Sequence, residues 1–466
     1  MKKLRLADPQ NILRLDYDSY PFVKVDCHLH TTPFESWLLV SNNSATESNR
    51  EIRAMRTLRL THEQEEIIFS CDGRTRVASV INIMRKVFRI PDKDTISTLS
   101  WLYLNGIIDF SKDVLEKPTY PSFGGSRDYF VPLHVFLELT DHCNQKCIHC
   151  YLESKPEKNQ FADTGMLIRT IENLSFEGTL VAELTGGEPL AHPDFEEILI
   201  AAAEFFQITS VISNGTLITD SLIELFLKLR ENGNSVLVSI TLNSHEKEFH
   251  DRFTGLSGSF EKALSSIRKL SAAGIPVRGT MNVTRHNIHH IQQNADLVLD
   301  AGASVFAVAP VNPEGRAQKA DICLMDDKEW AVFDREFLLL KKRYGDRVFS
   351  IPEPAAQEIF DYSCGAGTKT VAISPKGEVR PCVLFDSTHS FGNIFKDEID
   401  KVLNPDNLGI LLKDFSPARL GCDKCSLGSI CNGCIRRMLK MAPENPSCPL
   451  NRHIRSKEGS DESSHC

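Results

Sequence analysis

The sequence predicts an α/β protein: a partial (β/α)6, TIM-like barrel, preceded by a winged-helix-like unit and followed by a cysteine-rich unit. Three observations lead there. Six short apolar runs alternate with amphipathic helical stretches between residues 131 and 345, the pattern of a curled parallel sheet. Before them come short strand patterns and three helix-length segments, and after them seven of the 14 cysteines crowd between Cys364 and Cys448.

The N-terminal unit, residues 1–116, opens with Val23, Val25, Cys27 and Leu29 alternating with Lys24, Asp26, His28 and His30, a half-buried strand by its period of two. Residues 36–57 are polar and read as an irregular excursion. Thr61 with Gln64 forms a capping box for a helix that Gly73 ends. A second helix carries Val77, Val80, Ile81, Met84, Val87 and Phe88 at helical spacing, and a third spans about 95–104 before an Ile107-Ile108 strand. From Arg59 to Phe110 there are seven acidic and seven basic residues, so the basic footprint of a DNA-binding winged helix is missing.

Residues 117–130, with Pro118, Pro121, Gly124 and Gly125, read as a linker. The barrel, 131–345, has strands at 135–140, 180–184, 209–213, 235–242, 277–284 and 304–311, with helices near 163–176, 194–206, 219–231, 259–272 and 288–300. Functional residues of such sheets gather at the carboxyl ends of the strands. The unit 346–452 has too little apolar surface for a self-sufficient core, which calls for metal, and 453–466 is a polar tail.

A net charge of -9 gives no general attraction to nucleic acid or anionic lipid. Neither a signal-peptide pattern nor an apolar run of about 18 residues is present, so a cytoplasmic protein without membrane attachment is expected. In that reducing compartment clustered cysteines point to metal or redox chemistry, while Cys27, Cys71, Cys323 and Cys466 stand apart as structural or incidental.

Cys143, Cys147 and Cys150 follow directly on the first barrel strand, offering three thiolates from one rim loop. Three ligands suit a cubic iron–sulfur cluster with one open iron, whereas a structural zinc site would need a fourth ligand such as His142 or His149. Gly186-Gly187-Glu188-Pro189 follows the second strand, Ser213-Asn214-Gly215-Thr216 the third and Thr241-Leu242-Asn243-Ser244 the fourth.

With this placement the chain resembles the radical S-adenosylmethionine superfamily. The resemblance implies a [4Fe-4S] cluster on Cys143, Cys147 and Cys150 and an S-adenosylmethionine site lined by Gly186, Gly187, Glu188, Pro189, Asn214, Thr241, Asn243 and Arg252, with Glu188 complementing the methionine ammonium. Two departures stand out: Thr241-Leu242-Asn243 replaces the usual Ser-Leu-Asp, and Thr254 stands before Gly255 where the family has arginine.

Cys364, Cys382, Cys422, Cys425, Cys431, Cys434 and Cys448 resemble the SPASM extension of peptide-modifying radical enzymes, except that two residues instead of the common three separate Cys431 from Cys434. The resemblance implies two further [4Fe-4S] clusters, one on Cys364, Cys382 and Cys434 with an open position, one closed by Cys422, Cys425, Cys431 and Cys448. The unit around Cys71-Asp72-Gly73 resembles the peptide-recognition domain related to the peptide chaperone of pyrroloquinoline quinone biosynthesis, which binds a leader peptide on a sheet edge.

All three parts together resemble the subtilosin-type sactisynthases. The implied activity is thioether formation between cysteine sulfur and carbon in a ribosomally made precursor peptide, with S-adenosylmethionine and three [4Fe-4S] clusters as cofactors and a flavodoxin- or ferredoxin-type electron donor. Peptide epimerisation or carbon–carbon crosslinking is the alternative within radical chemistry, and a zinc-stabilised binding scaffold the alternative outside it.

Overall fold

The computed structural model describes residues 15–41, 55–324, 327–351, 365–408 and 434–436. Two compact units emerge, one containing residues up to Val131 together with 176–178, the other the remaining described residues.

In the first unit β1 (Tyr20–Val23) pairs antiparallel with β5 (Ile108–Ser111). A separate four-stranded sheet has the order β4-β3-β2-β6, from β2 (Cys27–Thr31), β3 (Ser36–Ser41), β4 (Met55–Leu60) and β6 (Ser122–Gly125). Three helices pack with them: α1 (His62–Phe69), α2 (Val77–Lys86) and α3 (Asp92–Leu104). The expected capping box is present: Gln64 N donates to Thr61 Oγ1 and Thr61 N to Gln64 Oε1. Helix α2 buries Val77, Val80, Ile81 and Met84, but leaves Val87 and Phe88, beyond its end, exposed.

Four expectations are corrected here. The strand expected through 23–30 is two strands in different sheets, and β2 is buried at every residue, His28 and His30 included. Its flanking strands and covered faces remove the solvent side that an alternating pattern presupposes. His30 Nε2 lies 2.8 Å from Val131 O, and His28 Nδ1 3.0 Å from Ser122 Oγ. The polar excursion at 36–57 in fact supplies β3, which buries Trp37, Leu38, Leu39 and Val40, and part of β4. Residues 42–54, the most polar part of it, lie outside the described residues. The 117–130 linker carries β6, which pairs parallel with β2, so this unit runs past residue 116 to Val131.

The second unit contains the barrel sheet. β7 (His134–Thr140), β8 (Val181–Gly186), β9 (Ile208–Ser213), β10 (Val236–Thr241), β11 (Val277–Val283) and β12 (Val305–Pro310) lie parallel in chain order. These are the six expected strands. Helices α4 (Thr164–Glu177), α5 (Phe195–Phe205), α6 (Asp220–Glu231), α7 (Lys247–Thr254), α8 (Ser259–Ala272) and α9 (Ile291–Asp300) connect them. Helix α8 buries Phe260, Leu264, Ile267 and Leu270, and the strand interiors are nearly closed to solvent, as a covered parallel sheet requires.

The sheet does not stop at residue 345, the fourth correction. After α10 (Arg316–Ala320) and α11 (Asp327–Tyr344), β13 (Val348–Ser350) adds parallel to β12. On the other edge β14 (Thr370–Ile373) adds parallel to β7, followed by β15 (Glu378–Arg380) and β16 (Gly392–Asn393) in antiparallel pairing. The C-terminal cysteine region thus begins as a continuation of the barrel sheet beside β7. Cys27, Cys71 and Cys323 are buried, and burial pushes the Cys27 thiol up to about 12, the behaviour of structural thiols. Among the described residues, no helix is long and apolar enough to cross a membrane.

Candidate active site

The loop leaving β7 carries the cysteine triplet, and its neighbours hold it mainly by its backbone. Lys146 N donates to Thr254 O (2.9 Å) and Ile148 N to Phe253 O (3.0 Å), tying the loop to α7. From the loop after β12, Arg316 donates through Nε to Cys147 O (2.7 Å) and through Nη2 to Ser154 O (2.8 Å), while Arg316 N reaches Cys150 O (3.1 Å). Gly315 precedes it with φ 53°, and a Cβ there would fall 2.5 Å from both Cys150 O and Tyr151 O. The His149 ring stacks on Phe253 with centroids 4.9 Å apart, and burial pushes it down to about 3, so it is neutral.

Two of the thiols accept hydrogen bonds from the loop's own backbone, while Cys147 Sγ donates to Gln145 Oε1 (3.3 Å). Gln145 N points at Cys143 Sγ and Ser154 N at Cys150 Sγ, both at 3.4 Å. Burial, reinforced by the charge of Glu188, pushes the Cys143 thiol up to about 12; burial and then the charges of Cys150 and Cys143 also push Cys147 well above the ordinary thiol range. Deprotonated together on one loop, three thiolates would repel one another until a cationic core neutralised them, which is the condition for an iron–sulfur cluster. Among the described residues no three His, Cys, Asp or Glu side chains gather as ligands of a single metal ion.

The segment after β8 presses against this loop. Gly187 N donates to Thr140 O (2.7 Å) and Glu188 N to His142 O (2.8 Å). A Cβ on Gly187 would lie 1.9 Å from His142 O, so only glycine permits the approach. Pro189 starts a short 3-10 turn. Glu188 is buried, its carboxylate accepting from Ser213 Oγ (2.7 Å) and Leu190 N (3.3 Å) on Oε1 and from Asn214 N (2.8 Å) on Oε2. Burial dominates nonetheless and pushes its carboxyl up to about 7.

Asn214 Nδ2 donates to Asn144 Oδ1 (2.8 Å) and sits 3.9 Å from Cys143 Sγ, while its Oδ1 accepts from Thr216 N (2.9 Å) and Thr216 Oγ1 (2.6 Å). Thr241 ends β10, partly exposed. Asn243 is buried: Oδ1 accepts from Asn282 N (3.0 Å), N donates to His250 Nδ1 (3.1 Å) and O accepts from Asn287 Nδ2 (2.9 Å). Arg252 is exposed on α7; the ties from that helix to the cysteine loop run through the Phe253 and Thr254 carbonyls. The structure thus brings the triplet, Gly186 to Pro189 and Asn214 together, with Asn243 bracing the next two rim loops.

Sequence reasoning missed Arg316, Asn144 and Asn282. The available signal for Arg316 was Glu314-Gly315-Arg316 directly after a barrel strand, a glycine before a long cation at the carboxyl-end rim. Of the C-terminal cysteines, Cys382, just past β15, and Cys434 are described; Cys364, Cys422, Cys425, Cys431 and Cys448 lie outside the described residues.

Comparison with known proteins agrees with this geometry. Residues 137–298 match the family model of the radical SAM superfamily, and residues 364–435 that of the SPASM iron-sulfur cluster-binding domain. The chain is 31% identical over 423 residues to the antilisterial bacteriocin subtilosin biosynthesis protein AlbA of Bacillus subtilis, covering 89% of this chain and 92% of that one. It is 29% identical over 300 residues to the sporulation killing factor maturation protein SkfB of the same species, covering 64% and 71%. Among solved structures, SuiB of Streptococcus suis bound to S-adenosylmethionine aligns with a TM-score of 0.61 at 16% identity, over 90% of this chain and 96% of that one, which shows a shared fold. The chain belongs to the radical SAM superfamily, among its enzymes whose barrel is followed by a SPASM iron–sulfur domain.

Proposed function

We propose that this radical SAM enzyme matures a ribosomally made precursor peptide by forming thioether bonds between cysteine sulfur and a carbon of an acceptor residue. The observation that carries the reading is the convergence of the cysteine triplet, the Gly187 approach and Glu188 at one strand-end rim, in a chain that spans 92% of a bacteriocin biosynthesis protein.

Cys143, Cys147 and Cys150 would hold a [4Fe-4S] cluster, whose bound form supplies the electron that cleaves S-adenosylmethionine to methionine and a 5′-deoxyadenosyl radical. The rest is the work of the chain. Gly186, Gly187 and Pro189 shape the wall beside the cluster loop. Glu188 has about four acceptor directions, of which the three donors named above use three, and the remaining one suits the methionine ammonium. Asn214 and Thr241 would offer hydrogen bonds to the cofactor's polar atoms, Asn243 ties the loop after β10 to the one after β11, and Arg252, exposed on α7, would offer its charge from the solvent side. The barrel excludes water from a radical that would otherwise be quenched.

Per thioether, the substrate loses the thiol proton, one C–H hydrogen, which ends on 5′-deoxyadenosine, and one electron. Cys364, Cys382 and Cys434 would hold one auxiliary cluster, and Cys422, Cys425, Cys431 and Cys448 the other. The leader segment of the precursor would add to an edge of the N-terminal sheet, whose longer edge strand is the six-residue β4. A flavodoxin- or ferredoxin-type protein would supply electrons, in the cytoplasm, where clustered thiols stay reduced.

Anaerobic incubation of the reconstituted enzyme with S-adenosylmethionine, a reductant and a cysteine-containing precursor, followed by fragment mass spectrometry, tests the reading. A loss of about two hydrogens per cysteine is expected, the balance of thioether closure. Unchanged mass with deuterium uptake from heavy water would replace it with epimerisation.

A further inference from the structure

Two buried arginine–glutamate pairs join the C-terminal region to the barrel, and each arginine stands two residues from one of the two described C-terminal thiols. Arg380 ends β15, two residues before Cys382, and its Nη2 donates to Glu138 Oε2 on β7, the strand that runs into the triplet loop. Arg436 stands two residues after Cys434 and grips Glu314 with both arms of its fork, Nε to Oε1 at 2.8 Å and Nη2 to Oε2 at 3.3 Å. Glu314 immediately precedes Gly315 and Arg316, which fasten the backbone of Cys147 and Cys150. All four side chains are nearly closed to solvent: Glu138 2%, Arg380 5%, Glu314 8% and Arg436 8% exposed.

The surroundings connect the two pairs. Arg380 Nη1 donates to Phe385 O (2.7 Å), Phe385 N donates to Cys382 O (3.1 Å), and Arg436 lies over the Phe385 ring at 5.3 Å while also reaching Asp386 Oδ2 (3.2 Å). On the barrel side Tyr151, next to Cys150, donates to Glu138 Oε1 (3.4 Å). One donor is left over: among the described residues Arg380 Nε is buried without an acceptor. A dry guanidinium N–H two residues from a thiol is the kind of donor that iron–sulfur cores recruit.

Burying four charges solely for stability is a poor bargain, since apolar residues of similar volume serve as well or better. Their placement suits a different task. We propose that Glu138–Arg380 and Glu314–Arg436 are positioning pairs for the auxiliary cluster on Cys382 and Cys434: they fix those thiols to the strand and loop that carry the triplet, and their opposed charges tune that cluster's reduction potential. This rests on the ligand assignment proposed above. A guanidinium is permanently charged, and a positive charge beside a cluster favours its more negative, reduced form.

The test is a redox titration with dithionite, followed by electron paramagnetic resonance, of the full chain reconstituted with iron and sulfide and with Cys143, Cys147 and Cys150 replaced by alanine. Arg436→Gln is expected to lower one midpoint potential, Glu314→Gln to raise the same one, and Arg436→Lys to stay near the parent value. A merely structural pair would not give shifts of opposite sign. Glu314→Gln leaves Arg436 its Asp386 partner, so it decides the matter even where Arg436→Gln fails to accumulate. Unmoved potentials, or shifts of one sign in both, overturn the proposal while leaving the ligand assignment standing. A parent chain that binds no reducible iron overturns the assignment and the proposal with it.

Discussion

Replacing Gly187 by alanine tests whether main-chain contact between the β8 and β7 loops sets the geometry of the site. The added Cβ would sit 1.9 Å from His142 O and 2.5 Å from His142 C, where contacts under 3.0 Å do not persist, so the two backbones must part by at least about 1.1 Å. That separation breaks or stretches the Gly187 N to Thr140 O (2.7 Å) and Glu188 N to His142 O (2.8 Å) bonds. At about 0.5–1.5 kcal/mol each, the two represent about 1–3 kcal/mol of local stability. The larger effect is on turnover: a misplacement of about 1 Å in a positioned site costs on the order of a hundredfold in rate. The assay is 5′-deoxyadenosine formed per minute by reconstituted enzyme with dithionite, alongside iron content and melting temperature. Gly165→Ala, near the start of α4, is the control, because its Cβ would meet only Asp163 Oδ1 at 3.6 Å. A Gly187→Ala enzyme with full iron and an unchanged rate would refute the argument that this contact positions Glu188 and the triplet loop.

Other consequences are open to measurement. Cys147→Ala should abolish 5′-deoxyadenosine formation and remove one cluster's worth of iron while leaving the remainder bound; unchanged turnover would remove the radical reading. Arg316→Gln gives up the bonds to Cys147 O and Ser154 O, so at about 1.5–3 kcal/mol for each bond from a charged donor the apoprotein should lose about 3–6 kcal/mol, by urea unfolding, with activity falling further than stability alone explains. Burial pushes His28 and His30 down to about 4 from ordinary values of 6.5. Their folded values lie below the unfolded ones, so their contribution is intact above pH 6.5 and lost as pH falls toward 4. Protection of the Leu29 and Leu38 amides, measured as exchange relative to the intrinsic rate at each pH, should therefore fall across that window in the parent chain and change little in the His28→Gln, His30→Gln double variant.

The barrel was legible because each of its elements announces itself locally. Strands such as Val236–Thr241 are largely apolar and buried up to their last residue, and α8 shows its inward face through Phe260, Leu264, Ile267 and Leu270. The N-terminal sheet was not, for physical reasons. In β2 one ring nitrogen each of His28 and His30 finds a partner, in Ser122 and Val131, about a hundred residues away in sequence, and that pairing helps turn an alternating pattern into a fully buried strand. The four apolar residues of β3 are followed by a Ser/Asn-rich stretch that masks them, and β6 holds its place by parallel pairing with β2, an interaction no local pattern encodes. The triplet and Gly186 to Pro189 were readable as chemistry-bearing residue types, whereas Arg316 acts through carbonyls, which every residue possesses, and so leaves only its own identity as a clue.

Glu188 carries two roles that a single substitution can separate. As a brace it joins two rim segments, accepting from Leu190 N on its own segment and from Ser213 Oγ and Asn214 N on the next; as a binder its negative charge would complement the methionine ammonium. Glu188→Gln keeps the shape. Its amide oxygen can still accept from Asn214 N, and its NH2 can donate to Ser213 Oγ, which already accepts from Gly215 N (3.0 Å). Leu190 N is left without that acceptor, a cost of about 1 kcal/mol. The brace therefore largely survives while the charge is gone. A hydrogen bond to a charged partner contributes about 1.5–3 kcal/mol, so loss of the ammonium contact should weaken S-adenosylmethionine binding by about ten- to a hundredfold. Glu188→Ala removes both roles and should also lower the melting temperature and iron retention. If Glu188→Gln binds S-adenosylmethionine as tightly as the parent by equilibrium dialysis, the carboxylate is a brace alone, and the ammonium is met by other groups on the same rim.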